Sequence, residues 1–188
     1  YYKKIITETL DFIAKTMTSN EGAFYSSIDA DSKNTEGKLE EGAYYTWTTN
    51  ELKTVLKTDY ELFKNYYNIN NIGYWEKEKY ILYKTKSNKK FIEENHITAE
   101  ELKFKIKKWK KLLSDKRNTR ELPRLDDKSL TSWNAMMIKA YLNAYNALGE
   151  ENYLKAALKN AQFLKQKQLQ PNGQVFHSYK NNVSSIQG

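Results

Sequence analysis

Apolar residues recur along this chain at two periods, and the period changes from segment to segment. Ile6, Leu10, Ile13 and Met17 are spaced four, three and four. That spacing predicts an amphipathic helix from Tyr2 to about Thr18. Gly22 opens an extended stretch through Ser27, and a polar loop with Gly37 inside it runs from Asp29 to Glu41. Gly42 opens a second extended run, Ala43 to Trp47. Thr48 and Glu51 form a capping box for a short helix, followed by a helical patch over Asp59 to Tyr67. Asn70 to Gly73 reads as a turn and Tyr80 to Tyr83 as a short strand, while Asn88 to Glu94 shows no clear period. A second capping box, Thr98 and Glu101, starts a helix whose apolar stripe is Leu102, Ile106, Trp109 and Leu113. Ser114 to Ser129 reads as loop around Pro123. The next helix carries Leu130, Trp133, Met137, Ala140, Tyr141, Ala144 and Leu148 on one face, and Gly149 stops it. A last helix covers Glu151 to about Leu169, then a Pro171-Asn172-Gly173 turn leads to an extended Gln174 to Tyr179.

Part of this pattern occurs twice. Phe12-Ile13 precedes Gly22 and Phe24-Tyr25-Ser26-Ser27, and Phe163-Leu164 precedes Gly173 and Val175-Phe176-His177-Ser178. Phe12 to Phe163 and Gly22 to Gly173 give the same offset, 151 residues. Gly42-Ala43-Tyr44-Tyr45 is a third Gly-x-aromatic-aromatic run. Helix, Gly turn and short aromatic hairpin used repeatedly predict a stacked or circular helical array.

Composition narrows the class. A length of 188 residues and 39% hydrophobic content fit one folded domain, and only nine residues are Pro or Gly. Fifteen tyrosines and four tryptophans point first to a tyrosine-rich core. Net charge is +8, and between Lys103 and Arg120 nine cations face one acid, Asp115. A solvated basic face on an amphipathic helix accounts for this, so neither nucleic acid nor membrane is an expected partner. There is no cysteine, which excludes disulfides and thiolate chemistry, and no run of apolar residues spans a bilayer. The start at Tyr1 without methionine reads as a piece cut from a longer protein, with room for an upstream leader. A cytoplasmic location is the expectation.

Chemistry concentrates in two acidic, aromatic loops. Asp126-Asp127-Lys128 runs into the helix bearing Trp133 and Asn134, where orphan N–H groups and the positive dipole end lie. Asp29 and Asp31 follow Phe24-Tyr25. Such loops suit a polar ring such as a sugar. Glycoside hydrolysis needs one protonated and one ionised carboxyl, which Asp126 or Asp127 with Asp29 or Asp31 would supply. Adjacent acids repel, which raises one of the two pKa values. The structural alternative is that these acids cap a helix or shape turns. Arg124 and Lys128 either orient a substrate carboxylate or pair with the acids. Trp133 either stacks on a sugar or joins the core. Of Tyr45 and Trp47, one faces the cleft. Asn134, off the apolar stripe, hydrogen-bonds a ligand or a loop, and His177 sits in an aromatic hairpin beside the substrate. Neither His96 nor His177 has metal-ligand spacing, and neither a metal nor a cofactor is expected.

GAFYSSIDADS, EGAYYTW and LPRLDDKSLTSWNAMMIKA resemble the YyaL and spermatogenesis-associated family over roughly Tyr1 to Tyr179. The resemblance implies a thioredoxin-like domain upstream and a mainly α, six-hairpin (α/α)6 toroid, similar to N-acylglucosamine 2-epimerases and six-hairpin glycosidases, with short β-hairpins and a sugar-type cleft. About six helices are read here, half of what such a toroid holds. Residues 1–188 are therefore expected to be its first half, cut at Gly188, with an apolar edge available for self-association. The implied activity is sugar hydrolysis or isomerisation, or sugar binding without turnover. The other reading is a non-enzymatic interaction scaffold attached to the redox domain. Related epimerases move protons with histidines, and two histidines give little support for that route on this stretch.

Overall fold

The computed structural model describes residues 2–187, the side chain of Gln187 aside. Tyr1 and the expected cut at Gly188 lie outside the described residues. The protein is mainly helical, with a few short antiparallel strand pairs. In chain order, α1 (Tyr2–Thr16) is followed by β1 (Ser27–Ile28), β2 (Asp31–Lys33), β3 (Leu39–Glu41) and β4 (Trp47–Thr48). Next come α2 (Thr49–Leu56), a 3-10 turn at Lys57–Asp59, α3 (Tyr60–Tyr66), β5 (Lys79–Tyr80), α4 (Asn88–Asn95) and α5 (Ala99–Arg117). The chain ends in β6 (Leu125–Asp126), β7 (Ser129–Leu130), α6 (Thr131–Leu148), α7 (Glu151–Lys167), β8 (Phe176–Lys180) and β9 (Val183–Gln187).

The chain divides into two compact units. The first comprises residues 1–29 and 125–188, and the second residues 30–124. Within the first, β1 pairs antiparallel with β6, Ser27 opposite Asp126 and Ile28 opposite Leu125. This ladder closes the first unit across the point where the second is inserted.

The first unit contains the repeat. Tyr25 N–H donates to Met17 C=O at 2.9 Å, Ser19 N–H to Ala23 C=O at 2.8 Å and Gly22 N–H to Ser19 C=O at 3.0 Å. Shifted by 151, Phe176 donates to Gln168 at 2.9 Å, Gln170 to Gln174 at 2.8 Å and Gly173 to Gln170 at 3.0 Å. The bridges Thr18–Phe24 and Leu169–Val175 keep the same offset. Both turn glycines have positive φ, +95° and +85°, where a side chain is strained. At Gly22 a Cβ would also meet Lys159 Cγ at 2.7 Å. Behind the first turn, Leu10, Phe24, Tyr141, Tyr153 and Ala157 form a core, with Phe24 stacked on Tyr141 at 5.4 Å. Behind the second turn, Phe163 meets Tyr179 edge-on at 5.1 Å.

The third Gly-aromatic run does not repeat this geometry. Tyr45 and Thr46 N–H both donate to Gly42 C=O at 2.9 Å, so Gly42 to Tyr45 is a turn rather than an extended strand. Only Trp47–Thr48 is strand there, and it pairs with Lys79–Tyr80. The polar loop at Asp29 to Glu41 contains the two-stranded hairpin β2–β3. The stripe on α6 is also rotated from the expected one. Asn134, Tyr141 and Ala144 are buried, whereas Trp133 is 48% exposed and Ala140 is exposed. The unassigned Asn88 segment is helix α4, started by Ser87 Oγ accepting from Lys90 N–H.

In the second unit both capping boxes form, at Thr48–Glu51 and Thr98–Glu101. Leu102, Trp109 and Leu113 of α5 are buried against Leu52, Phe63 and Phe91. Trp109 meets Phe63 edge-on at 5.4 Å. Much of the basic helix is answered locally. Asp59, 6% exposed, accepts from Lys105 and Lys108 Nζ, each at 2.7 Å, and the buried Trp109 indole N–H is directed to the same carboxylate without hydrogen-bond geometry. Burial raises the Asp59 pKa, but the two lysine hydrogen bonds outweigh it and hold the carboxyl at about 2.

Two tests follow from this architecture. Replacing residues 30–124 by a two-residue turn joining Asp29 to Leu125 leaves a folded first unit, checked by circular dichroism and a cooperative melt; a molten product refutes the insertion. For Asp59, the folded pKa lies below the ordinary 3.8, so its stabilisation is present above pH 3.8 and lost as pH falls through about 2. Asp59→Asn should cost about 2 kcal/mol at neutral pH, a difference that vanishes near pH 2 in denaturant titrations.

Candidate functional site

The acidic loop Asp126-Asp127-Lys128 is the tight connection between β6 and β7. Its first acid shapes that connection, because Asp126 Oδ1 accepts from Lys128 N–H at 3.2 Å in an Asx-type turn. The helix that follows has no side-chain N-cap, so neither Asp126 nor Asp127 caps α6. Lys180, on β8, lies 3.4 Å from Asp126 and 2.8 Å from Asp127, and Lys128 Nζ lies 3.8 Å from Asp126. Pairing of β7 with β8, Ser129 opposite Tyr179, brings Lys180 to this turn. Ser26 Oγ donates to the Asp126 carbonyl at 3.3 Å.

Charge repulsion between neighbouring acids does not dominate here. The Lys128 N–H holds the Asp126 carboxyl below its usual range against a smaller desolvation penalty, with Ser26 and then the Lys128 and Lys180 side chains adding to the effect. Asp126 is therefore biased toward the ionised form rather than prepared as a proton donor. Asp29, half-buried, follows β1 and so stands near the ladder that carries Asp126. Asp31 belongs to the second unit, where it pairs in register with Glu41.

The remaining candidates fall into distinct environments. Asn134 is 0% exposed, and its amide is engaged within the fold. Its Oδ1 accepts from Phe24 N–H at 2.7 Å and Asn160 Nδ2 at 2.7 Å. Its Nδ2 donates to Phe24 C=O at 3.0 Å and Leu130 C=O at 2.9 Å. Asn160 in turn donates to Gly22 C=O at 2.7 Å. Trp47 is 3% exposed, with the Arg120 guanidinium 4.1 Å from its ring centroid, so it is a core residue of the second unit. Tyr45, the alternative, is 43% exposed and stands edge-on to Tyr44 beneath Arg117. Trp133, on the first turn of α6, is exposed, as are His177 and Lys128 in the first unit and Arg124 in the second. Among the described residues no group of three or more His, Asp or Glu side chains could hold a metal ion. Nor is any helix long and apolar enough to cross a membrane.

Two further residues take part, Lys180 and Asn160. Lys180 occupies the position 151 residues after Asp29, so the repeat itself pointed to it. Asn160 gave no signal, because its acceptor is a backbone carbonyl 138 residues away.

No family model matches the chain. The chain is 30% identical over 195 residues to an uncharacterised protein of Caenorhabditis elegans, covering 94% of this chain and 26% of that protein. It is 26% identical to spermatogenesis-associated protein 20 of Mus musculus and 25% identical to that of Homo sapiens, over 88% of this chain in each case. Those matches cover 23% and 24% of the relatives. The chain thus spans about a quarter of the length of these curated relatives. The matches support the spermatogenesis-associated family to which the three motifs point.

The Asn134 network and the exposed Trp133 separate structure from surface by one residue. Asn134→Ala should destabilise the first unit by about 2–4 kcal/mol, since it strands buried Phe24 and Asn160 polar groups. Trp133→Ala should change stability by less than about 0.5 kcal/mol, as for an exposed position. Chemical denaturation of both variants checks the contrast, and equal losses would contradict the placement.

Proposed function

We propose that this chain is a non-enzymatic helical-hairpin module, part of an (α/α)-type array in a longer, cytoplasmic protein, and that it serves as an interaction scaffold for the redox domain implied by the family resemblance. The observation that carries this reading is the state of the acidic turn. Asp126 is engaged by Lys128 N–H and by Lys180, and Asp127 by Lys180 at 2.8 Å. Glycoside hydrolysis requires a carboxylic acid held protonated, usually by an apolar or anionic setting. At Asp126 the Lys128 N–H, with Lys128 and Lys180 nearby, acts in the opposite direction. Exposed Trp133 and Met136 on α6 give the scaffold an apolar surface for a partner.

One observation favours the carbohydrate reading. The β1–β6 ladder draws the loop of Asp29 toward Asp126, and Trp133 offers an exposed ring within the same unit. A catalytic pair would need its carboxyls ~5–5.5 Å apart for retention or ~6.5–9.5 Å for inversion. A panel of aryl glycosides and N-acylated sugars, assayed with the full-length protein, separates the two readings. The scaffold reading predicts no turnover above the buffer rate. It also predicts that Asp127→Asn lowers stability by no more than about 1 kcal/mol, the worth of an exposed ion pair. Turnover that Asp127→Asn abolishes in a folded protein overturns it.

A further inference from the structure

The second unit contains a cavity of about 520 Å³. Its wall is built around Arg120, whose Nη1 donates to the Ala43, Tyr44 and Thr46 carbonyls at 3.1, 2.8 and 2.7 Å. Nη2 donates to Glu51 at 3.1 Å, and Glu51 also closes the capping box of α2. The guanidinium is therefore fixed in place, and burial lowers its pKa while Glu51 works to keep it charged. A fixed wall matters, because a preformed cavity orders a ligand at lower entropic cost.

Charges along the lining are unequal. Lys33, Lys79, Lys116 and Arg120 face Glu51 and Glu121. Glu40, outside the lining, answers Lys79 at 2.6 Å, and that hydrogen bond holds the Glu40 carboxyl at about 2. Lys33 meets Glu121 at 3.0 Å, with both side chains half exposed, a pair of little net strength that a competing anion can open. Lys116 has no ion-pair partner among the described residues, which leaves one cation over at this cavity. Thr35 and Thr119 supply hydroxyl groups, the Asn34 amide being engaged by Glu40, Glu36 and Lys38, and no aromatic ring lines the space.

We propose that this cavity binds a small phosphorylated sugar. An anionic group satisfies Lys116 and draws Lys33 away from Glu121, and the freed Glu121 carboxylate then accepts from sugar hydroxyls. The volume lies within the ~300–1,000 Å³ typical of ligand clefts and exceeds what a bare phosphate ion fills. A lining without aromatic rings offers no stacking surface for a nucleobase. The proposal does not depend on the scaffold reading of the acidic turn.

Isothermal titration of the full-length protein with glucose 6-phosphate, glucose, inorganic phosphate and adenosine monophosphate tests it. Glucose 6-phosphate is expected to bind most tightly, and added salt to weaken it, as for a partly exposed charge pair. Lys116→Glu, at an exposed position, should keep the wild-type melting temperature and weaken binding at least about tenfold. Lys33→Glu should weaken it in the same direction. Absence of saturable glucose 6-phosphate binding overturns the proposal. So does binding that neither variant changes, or a tighter response to adenosine monophosphate.

Discussion

One side-chain amide holds the first unit together. Asn134 meets the peptide group of Phe24 on both its N–H and its C=O, as a neighbouring strand would. A two-residue ladder and a single bridge leave short strands with few partners, and a buried peptide group without partners is costly. The amide supplies those partners from a helix, across 110 residues of sequence. Through Asn160 the same network extends to Gly22, so α6 and α7 both grip the first glycine turn. Tyr141, stacked on Phe24, donates its hydroxyl to Leu10 C=O at 3.2 Å and ties α1 to the same point. Burial pushes the Tyr141 pKa up to about 12, which keeps that donor protonated at any physiological pH.

Charge in this protein is organised to hold turns and helices. In the second unit, Asp59 gathers two lysines of α5, and Glu40 joins Lys79 and Lys77. In the first, Lys180 draws the acidic turn onto the edge of the β7–β8–β9 sheet. On α5, Lys105 and Lys108 pair with Asp59 and Lys111 pairs with Asp115.

What the sequence made legible is local. Capping boxes at Thr48 and Thr98, the Gly149 stop, whose φ is +72°, and the Leu102–Trp109–Leu113 stripe depend on neighbours within a turn or two. The 151-residue repeat was also legible, because each copy is itself a local motif, and its hydrogen bonds recur residue for residue. Long-range polar contacts were not. An apolar pattern assigns Asn134 to the outside of α6 and Trp133 to the inside, and the reverse holds because a backbone peptide, invisible to any residue pattern, is the partner of Asn134. The acidic turn is legible as a local Asp-Asp-Lys run, whereas the approach of Lys180 to it, from 54 residues away on β8, depends on strand pairing and leaves no local signal.

The structural reading of the acidic turn requires Asp126, which accepts from Lys128 N–H and lies 3.4 Å from Lys180, to stay ionised. A carboxyl-carbon NMR titration of Asp126 measures this directly. The account predicts a midpoint below the ordinary aspartate value of about 3.9, moving upward when Lys180 is replaced by Met. A midpoint above that value, toward neutrality, would mark Asp126 as a proton donor and contradict the account.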